Sequence, residues 1–386
     1  MANTLGAYNE TFFAQEALIQ LEKGLGLASR VHMGYDEERK KRAVGDTIRI
    51  RRPSTFTAQT APNSAKQDLK TEYVDISLTS WQEVRFSLTD AELAYTQEKI
   101  IQDHIRPAAY ALADKIDRDG AALYKGIPWV QNHGTTSDMA IADITNTQQI
   151  LFDNAVPLID EENMFYMVGG VEQNKLLQLP AFTQANTGGQ QAVENLRRGR
   201  LNRAFGFEFF ANQNRPTHTA GALADASGTL DATTVALHST TLVVNAVTNS
   251  GTVKKGDSLI IAGDTQRYAI TADATATGGG VLTVTIDPPL RVLHTTGDVV
   301  TIDVEATKTR QNIAFHRNAF ALGFAELSEL GNQLGAKIST VRDPVTGLSL
   351  RVRMYYDGDA SAVVVVVDTL YGWKNLDPNL ACRSRS

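Results

Sequence analysis

The chain has 386 residues, 42% of them hydrophobic and 21% charged, an ordinary globular composition with room for two or three cores. Acids outnumber bases 43 to 37, and the net charge of −6 argues against a dedicated nucleic-acid binder, which needs a concentrated basic face. One cysteine, Cys382, excludes an intrachain disulfide framework and fits a reducing compartment. The longest obvious apolar run, Val363 to Val367, is strand-sized rather than membrane-spanning, and the opening MANTLGAYNETFF lacks the basic and apolar regions of a secretion signal.

Residues 1–44 read as an arm. Thr11 to Leu21 places Phe13, Ala17, Leu18 and Leu21 on one helical face, with Gly24 as its stop. The run EERKKR (Glu37 to Arg42) reads as a solvated mixed-charge face. From residue 45 to 88 the period becomes two. GDTIRIRRP, YVDISL (Tyr73 to Leu78) and WQEVRFSL (Trp81 to Leu88) read as strands of an extended β-ribbon loop with a long polar tip. A two-stranded ribbon is marginal alone, and this one has no obvious second layer in its own sequence, so another chain or domain is expected to support it.

Residues 89–142 hold the clearest helix. Thr89 to Glu92 has capping-box spacing, and an apolar face runs through Ile100, Ile105, Leu112, Ile116 and Leu123 to a stop at Gly126 and Pro128. That predicts about 35 residues, or ~50 Å. Pro107 should kink it, since proline lacks the backbone donor and crowds the preceding turn. Residues 143–216 read as mixed α/β. Thr145 to Gln148 repeats the capping-box spacing, NMFYMVGG is a buried strand, and a helix over Val171 to Leu179 precedes a Gly/Asn/Gln-rich loop and the strand-like RLNRAFGFEFFANQN.

From 217 to 306 the composition shifts to Thr, Val, Ala, Gly and Asp. GDSLIIAG, QRYAITAD, GGGVLTVTIDPPL and GDVVTIDV are short alternating strands with regular turn signals, the pattern of a small β-barrel. Leu259, Ile261, Ile270, Leu282, Val284, Ile286, Val300 and Ile302 are its expected core, and both of its ends should emerge together. Residues 307–386 return to mixed patterning, with a helix expected near Ala325 to Leu334 and strands at SLRVRMYY and SAVVVVVDTLYGW. The fold class is therefore α+β with an all-β insertion.

Chemistry-bearing motifs are absent from the sequence. The seven histidines (32, 104, 133, 218, 238, 294 and 316) include no metal-binding pair, and no cysteine pair exists, so neither a metal nor a cofactor is expected. Gly251 to Gly256 has phosphate-loop spacing, but Asp257 stands where the lysine must be, so a hairpin turn is the reading. No G-x-S-x-G elbow occurs, and Cys382 lies in the last few residues, so no nucleophile suggests itself. An enzyme is not expected. Arg49, Arg51 and Arg52 form a basic strip on the ribbon, which either guards a strand edge or pairs with a neighbouring subunit. The acids Asp114, Asp117 and Asp119 on the long helix are its candidate partners, and Pro107 is a candidate hinge.

Four stretches carry a family resemblance: FFAQEALIQLEKGLGLASRVHMGYDEE with GDTIRIRRP, RLNRAFGFEFFANQNRP, RQNIAFHRNAFALGFAEL, and RVRMYYDGDASAVVVVVDTLYGWKNLDPNLACR. Their order resembles the major capsid proteins of tailed bacteriophages with the Hong Kong 97-type fold, and within them the short-tailed Salmonella phage branch with its inserted β-domain. The resemblance implies an N-arm, an extended loop, a spine helix in a peripheral domain, and an axial α/β domain interrupted by a barrel. It implies self-assembly into pentamers and hexamers of an icosahedral shell around double-stranded DNA, contacted without sequence specificity. The implied partners are a scaffolding protein during assembly, a portal protein at one vertex and a decoration protein, with no membrane, and the setting is a virion capsid assembled in the host bacterial cytoplasm. Two alternatives are the shell of an encapsulated nanocompartment and a phage adhesin built on the β insertion; the second lacks surface aromatics, since residues 217–306 contain only Tyr268.

Overall fold

The computed structural model describes residues 10–33, 47–52, 72–89, 99–133, 138–224, 226–231, 236–303, 307–329, 336–343 and 347–386. They fall into two units, one from residues 1–116 and 320–376 and the other from 117–319 and 377–386.

In the first unit, the β-branched run near the C-terminus forms a long central strand. Strand β20 (Ala362–Asn375) pairs antiparallel with β19 (Ser349–Asp357) and then β17 (Phe320–Ala325) along one edge, and with β3 (Ser80–Thr89) on the other. Strand β18 (Lys337–Arg342) completes the sheet beyond β19. Val364 to Val367 are all buried, so this strand shows a continuous apolar run instead of alternation. Helix α1 (Glu10–Gly24) lies against β18 and β19, burying the expected Ala17, Leu18 and Leu21 together with Ala14, while the side chain of Phe13 lies outside the described ones. Helix α2 (Lys99–Ala121) passes Gly24 at Tyr110 and Ala113, and the Ile116 carbonyl accepts the Trp373 indole N–H at 3.1 Å.

On one sheet face a charge is buried by design of the register. Asp368, 0% exposed, sits directly across from Arg351 and takes a bidentate pair from it at 3.0 and 2.7 Å, while Trp81 donates at 3.2 Å. A buried carboxylate so fully paired escapes most of the desolvation cost that an isolated one would carry.

The ribbon is built from β1 (Thr47–Arg52) and β2 (Glu72–Ser77), antiparallel with Arg49 opposite Asp75. Two expectations fail here. Trp81 to Leu88 leaves the ribbon and joins the sheet as β3. The ribbon base also has a second layer in its own chain: Ile48, Val74 and Ile76 pack with Leu78, Ala321, Ala325 and Leu376. Apart from Leu78, the support comes from residues 245 or more positions away, which no local pattern can show. Gly372 makes this approach possible, since a Cβ there would lie 2.2 Å from the Ser77 carbonyl oxygen.

The second unit holds a six-stranded sheet ordered β4 (Val130–Asn132), β21 (Ala381–Arg385), β16 (Gln311–His316), β5 (Met164–Val168), β7 (Phe207–Ala211) and β6 (Arg203–Ala204). Strands β5 and β7 are parallel, joined through helices as a crossover requires. The segment 217–306 forms a closed barrel, β11 (Ser258–Ile261), β12 (Arg267–Ile270), β14 (Leu282–Asp287), β9 (Thr241–Asn245), β8 (Ser227–Leu230) and β15 (Val299–Ile302). All eight expected core residues are buried in it, along with Tyr268. Its two connections run side by side: Thr217 bridges Arg310, and the His218 N–H donates to the Thr309 carbonyl at 2.7 Å.

Several local readings need correction. Helix α3 runs Ile141–Asp153, so Thr145 is inside it; the start is fixed by Asp143, whose carboxylate accepts the Ala140 N–H at 2.8 Å. The Gly/Asn/Gln-rich stretch after α4 (Gly170–Gln178) is helical, as α5 (Pro180–Thr183) and α6 (Ala185–Arg198), with a left-handed break at Gly189. RQNIAFHRNAFALGFAEL supplies β16 and β17; of the helix expected near Ala325 to Leu334, Ala325 ends a strand and residues 330–334 lie outside the described residues. Helix α2 is described from Lys99, 23 residues or ~35 Å, and continues as a tighter 3-10 turn over Ala122–Gly126. Glu37 to Arg42 and Asp90 to Glu92 lie outside the described residues.

Candidate functional site

The candidate residues on the ribbon are set by its register. Alternation puts Ile48, Ile50, Val74 and Ile76 on one face and Arg49, Tyr73 and Asp75 on the other. Arg49 donates to Asp75 in two bonds, 2.7 and 2.8 Å, and its guanidinium lies 4.7 Å from the Tyr73 ring centroid. Both partners are about half exposed, so the pair fixes register more than it adds stability. Arg51 and Arg52 belong to β1, and their side chains lie outside the described ones.

The acids on α2 are not equivalent. Asp117 is 3% exposed and accepts from the Asn212 amide at 3.3 Å, so it serves its own chain and leaves the set of candidates for a neighbour's arginine. Asp114 and Asp119 are half-buried. The helix runs through Pro107 without interruption.

The polar residues that the sequence did not single out are carboxylates in the turns of the barrel, Asp257 before β11 at the foot and Asp264 and Asp298 at the opposite end of that strand. Three Gly-Asp pairs recur in the insertion, and in each the glycine has a positive φ: Gly256 (102°), Gly263 (82°) and Gly297 (94°). Each turn aims its carboxylate at local donors. Asp257 accepts from His218 Nε2 at 2.7 Å, the Lys254 N–H at 2.7 Å and the Gly221 N–H at 3.2 Å. Asp264 accepts the Tyr268 hydroxyl at 2.5 Å and the Gln266 N–H at 2.8 Å. Asp298 accepts the Thr295 N–H and hydroxyl, both at 2.9 Å, and faces His294. The Thr295 N–H first, then its hydroxyl, hold the Asp298 carboxyl below the usual range. The repeated Gly-Asp was the available signal.

Around Asp257 the barrel is tied to the α/β sheet. Tyr124 places its hydroxyl 3.0 Å from His218 Nδ1, completing a buried Tyr124–His218–Asp257 chain. From the sheet side, Arg383 on β21 is 1% exposed and donates to the Gly256 carbonyl at 2.6 Å. Arg385, two positions on, donates to the Asp303 carbonyl at 2.9 Å. Burial, and Arg385 beside it, pull the Arg383 pKa below the ordinary arginine value. Immediately before Arg383 in the sequence, Cys382 faces the apolar side and is fully buried, which pushes its thiol up to about 12 and leaves it chemically inert. Such an array anchors a domain. It brings together no nucleophile with a base, and among the described residues no group of His, Cys, Asp and Glu is placed to hold a metal ion.

No protein-family model matches the chain, and no curated protein matches it in sequence. Solved structures do match. A chain from Mycobacterium phage Che8 is 13% identical, with 93% of this chain and 90% of that chain covered at a TM-score of 0.50. The capsid structure of the cyanophage P-SCSP1u (10% identical; 89% and 84% covered; TM-score 0.47) and the mature capsid of bacteriophage PhiM1 (10% identical; 88% and 82% covered; TM-score 0.46) also align. The fold is thus shared with the phage Che8 chain along nearly its whole length.

Proposed function

We propose that the chain is the structural major capsid protein of a tailed bacteriophage, a non-enzymatic subunit that assembles into the icosahedral shell around double-stranded DNA. The observation that carries the reading is the alignment with the phage Che8 chain across both chains' length. The parts fit the work. In this reading the ribbon β1–β2 is the extended loop that reaches an adjacent subunit, α2 is the spine helix, and the six-stranded sheet with its helices is the axial domain. Shells close because each surface complements a different surface of its neighbour.

The barrel inserted between β7 and β16 supports the finer assignment to the short-tailed Salmonella phage branch. Its place in assembly is to brace the axial domain through the Asp257 and Arg383 contacts. A scaffolding protein, a portal at one vertex, packaged DNA and a decoration protein are the partners of this role, and the virion capsid, assembled in the bacterial cytoplasm, is its location. Expression with the neighbouring phage genes followed by electron microscopy tests the reading. Closed icosahedral particles of this chain support it; soluble, unassembled subunits under the same conditions refute it.

A further inference from the structure

The second unit carries two exposed patches of opposite charge and the same make. The first lies at the end of α3 and in the turns after it. Phe152 is 67% exposed and Ile159 fully exposed, and around them stand Asp153, Glu161 and Glu162, all exposed. None of these three acids makes an ion pair among the described residues. Asp153 is also badly placed for its own helix: the C-terminal turn of α3 carries the negative end of the macrodipole and has no basic residue to offset it. The second patch lies at the end of α6 and just beyond. Leu196 is 66% and Phe205 38% exposed, and between them stand Arg197, Arg198 and Arg200, exposed and likewise without an ion pair among the described residues.

Hairpin β6–β7, whose turn carries Phe205, is tied to the acidic side, where Arg203 donates to the Glu161 carbonyl at 2.8 Å. Each patch thus pairs two apolar anchors with three like charges. A second copy of this chain supplies the complement of either one. We infer that the acidic patch of one subunit receives the basic patch of the next, in a head-to-tail contact that propagates until a ring closes. This inference rests on the shell function proposed above. Free phosphate chains would satisfy the arginines but leave Leu196 and Phe205 in water, whereas arginine flanked by apolar side chains is the usual makeup of a protein interface. Opposed charges also orient the encounter and penalise like-to-like docking, which a ring with one direction of travel needs.

Charge reversal with rescue tests it. Arg197→Glu with Arg198→Glu should lower the yield of closed particles at least about tenfold, and Glu161→Lys with Glu162→Lys should do the same. All four changes in one chain should recover the yield to within about threefold of the parent. Circular dichroism with an unchanged thermal midpoint shows that the exposed substitutions leave the subunit folded, and the neutral pair Arg197→Gln with Arg198→Gln should give an intermediate loss. Parental yields from either reversal, or no recovery in the fourfold variant, overturn the inference while the shell reading stands. Normal particles that lose nuclease-protected DNA only when the arginines are reversed would reassign that patch to nucleic acid. A parent chain that forms no particles at all removes the shell reading itself.

Discussion

Asp257→Ala should be the most damaging single truncation at the foot of the barrel. The residue is 1% exposed and accepts from three donors, two of them backbone amides. Water does not replace a buried carboxylate, so the change strands the Lys254 and Gly221 amides and the His218 ring together. Each stranded donor costs ~1–3 kcal/mol, and allowing for relaxation the total should be about 3–5 kcal/mol, in the exceptional range for one substitution. Tyr124→Phe, which removes only the hydroxyl facing His218, should cost about 1 kcal/mol. Urea unfolding of dilute, unassembled subunits reads both as midpoint shifts at constant slope. Hydrogen exchange should further show Asp257→Ala lowering protection at residues 217–221 and 307–311, where the two connections run paired. A loss below about 0.5 kcal/mol for Asp257→Ala would refute the claim that these bonds anchor the insertion.

The insertion should fold by itself: a fragment of residues 217–306 has its own closed barrel and core, so it should melt cooperatively and give dispersed amide signals, and a random-coil spectrum would show dependence on the sheet. Gly372→Ala should cost about 2–3 kcal/mol in urea unfolding, because its Cβ meets the Ser77 backbone oxygen at 2.2 Å, whereas Gly358→Ala, with open space around it, should be near neutral. Arg51→Glu with Arg52→Glu should leave a folded subunit that assembles poorly, read by particle yield on sedimentation; normal yields would remove the ribbon arginines from the interface. Pro107→Ala restores the missing backbone donor in α2 and should shift the temperature at which shells expand, while identical heat-induced expansion would exclude a hinge there.

Local chemistry was enough for the elements whose signal is local. The period-two runs at Ile48 and Ile50, at Leu282 to Ile286 and at Val300 to Ile302 became strands, because alternation alone decides which side chains face a core. The barrel's eight core residues were legible for the same reason. Where tertiary context competes with propensity, the sequence misled. Phe320 to Ala325 carries no clean alternation because both faces of β17 are buried, so the strand had no period-two signal and ran to Ala325, where a helix was expected to begin. Thr145 has a capping residue's chemistry, but Asp143 lay closer to the true start of α3 and took the role.

Only the folded chain could show what the ribbon rests on, or that Asp117 is buried while its neighbours are half-exposed. The same holds for the buried Tyr124–His218–Asp257 chain and the pairing of Arg383 with Gly256, which join residues up to 127 positions apart. Such contacts are invisible in sequence because burying a polar group is unfavourable until its partners arrive, and the partners are brought by topology. Periodicity set which residues turn inward; the meeting of distant strands set which of the polar ones found a mate.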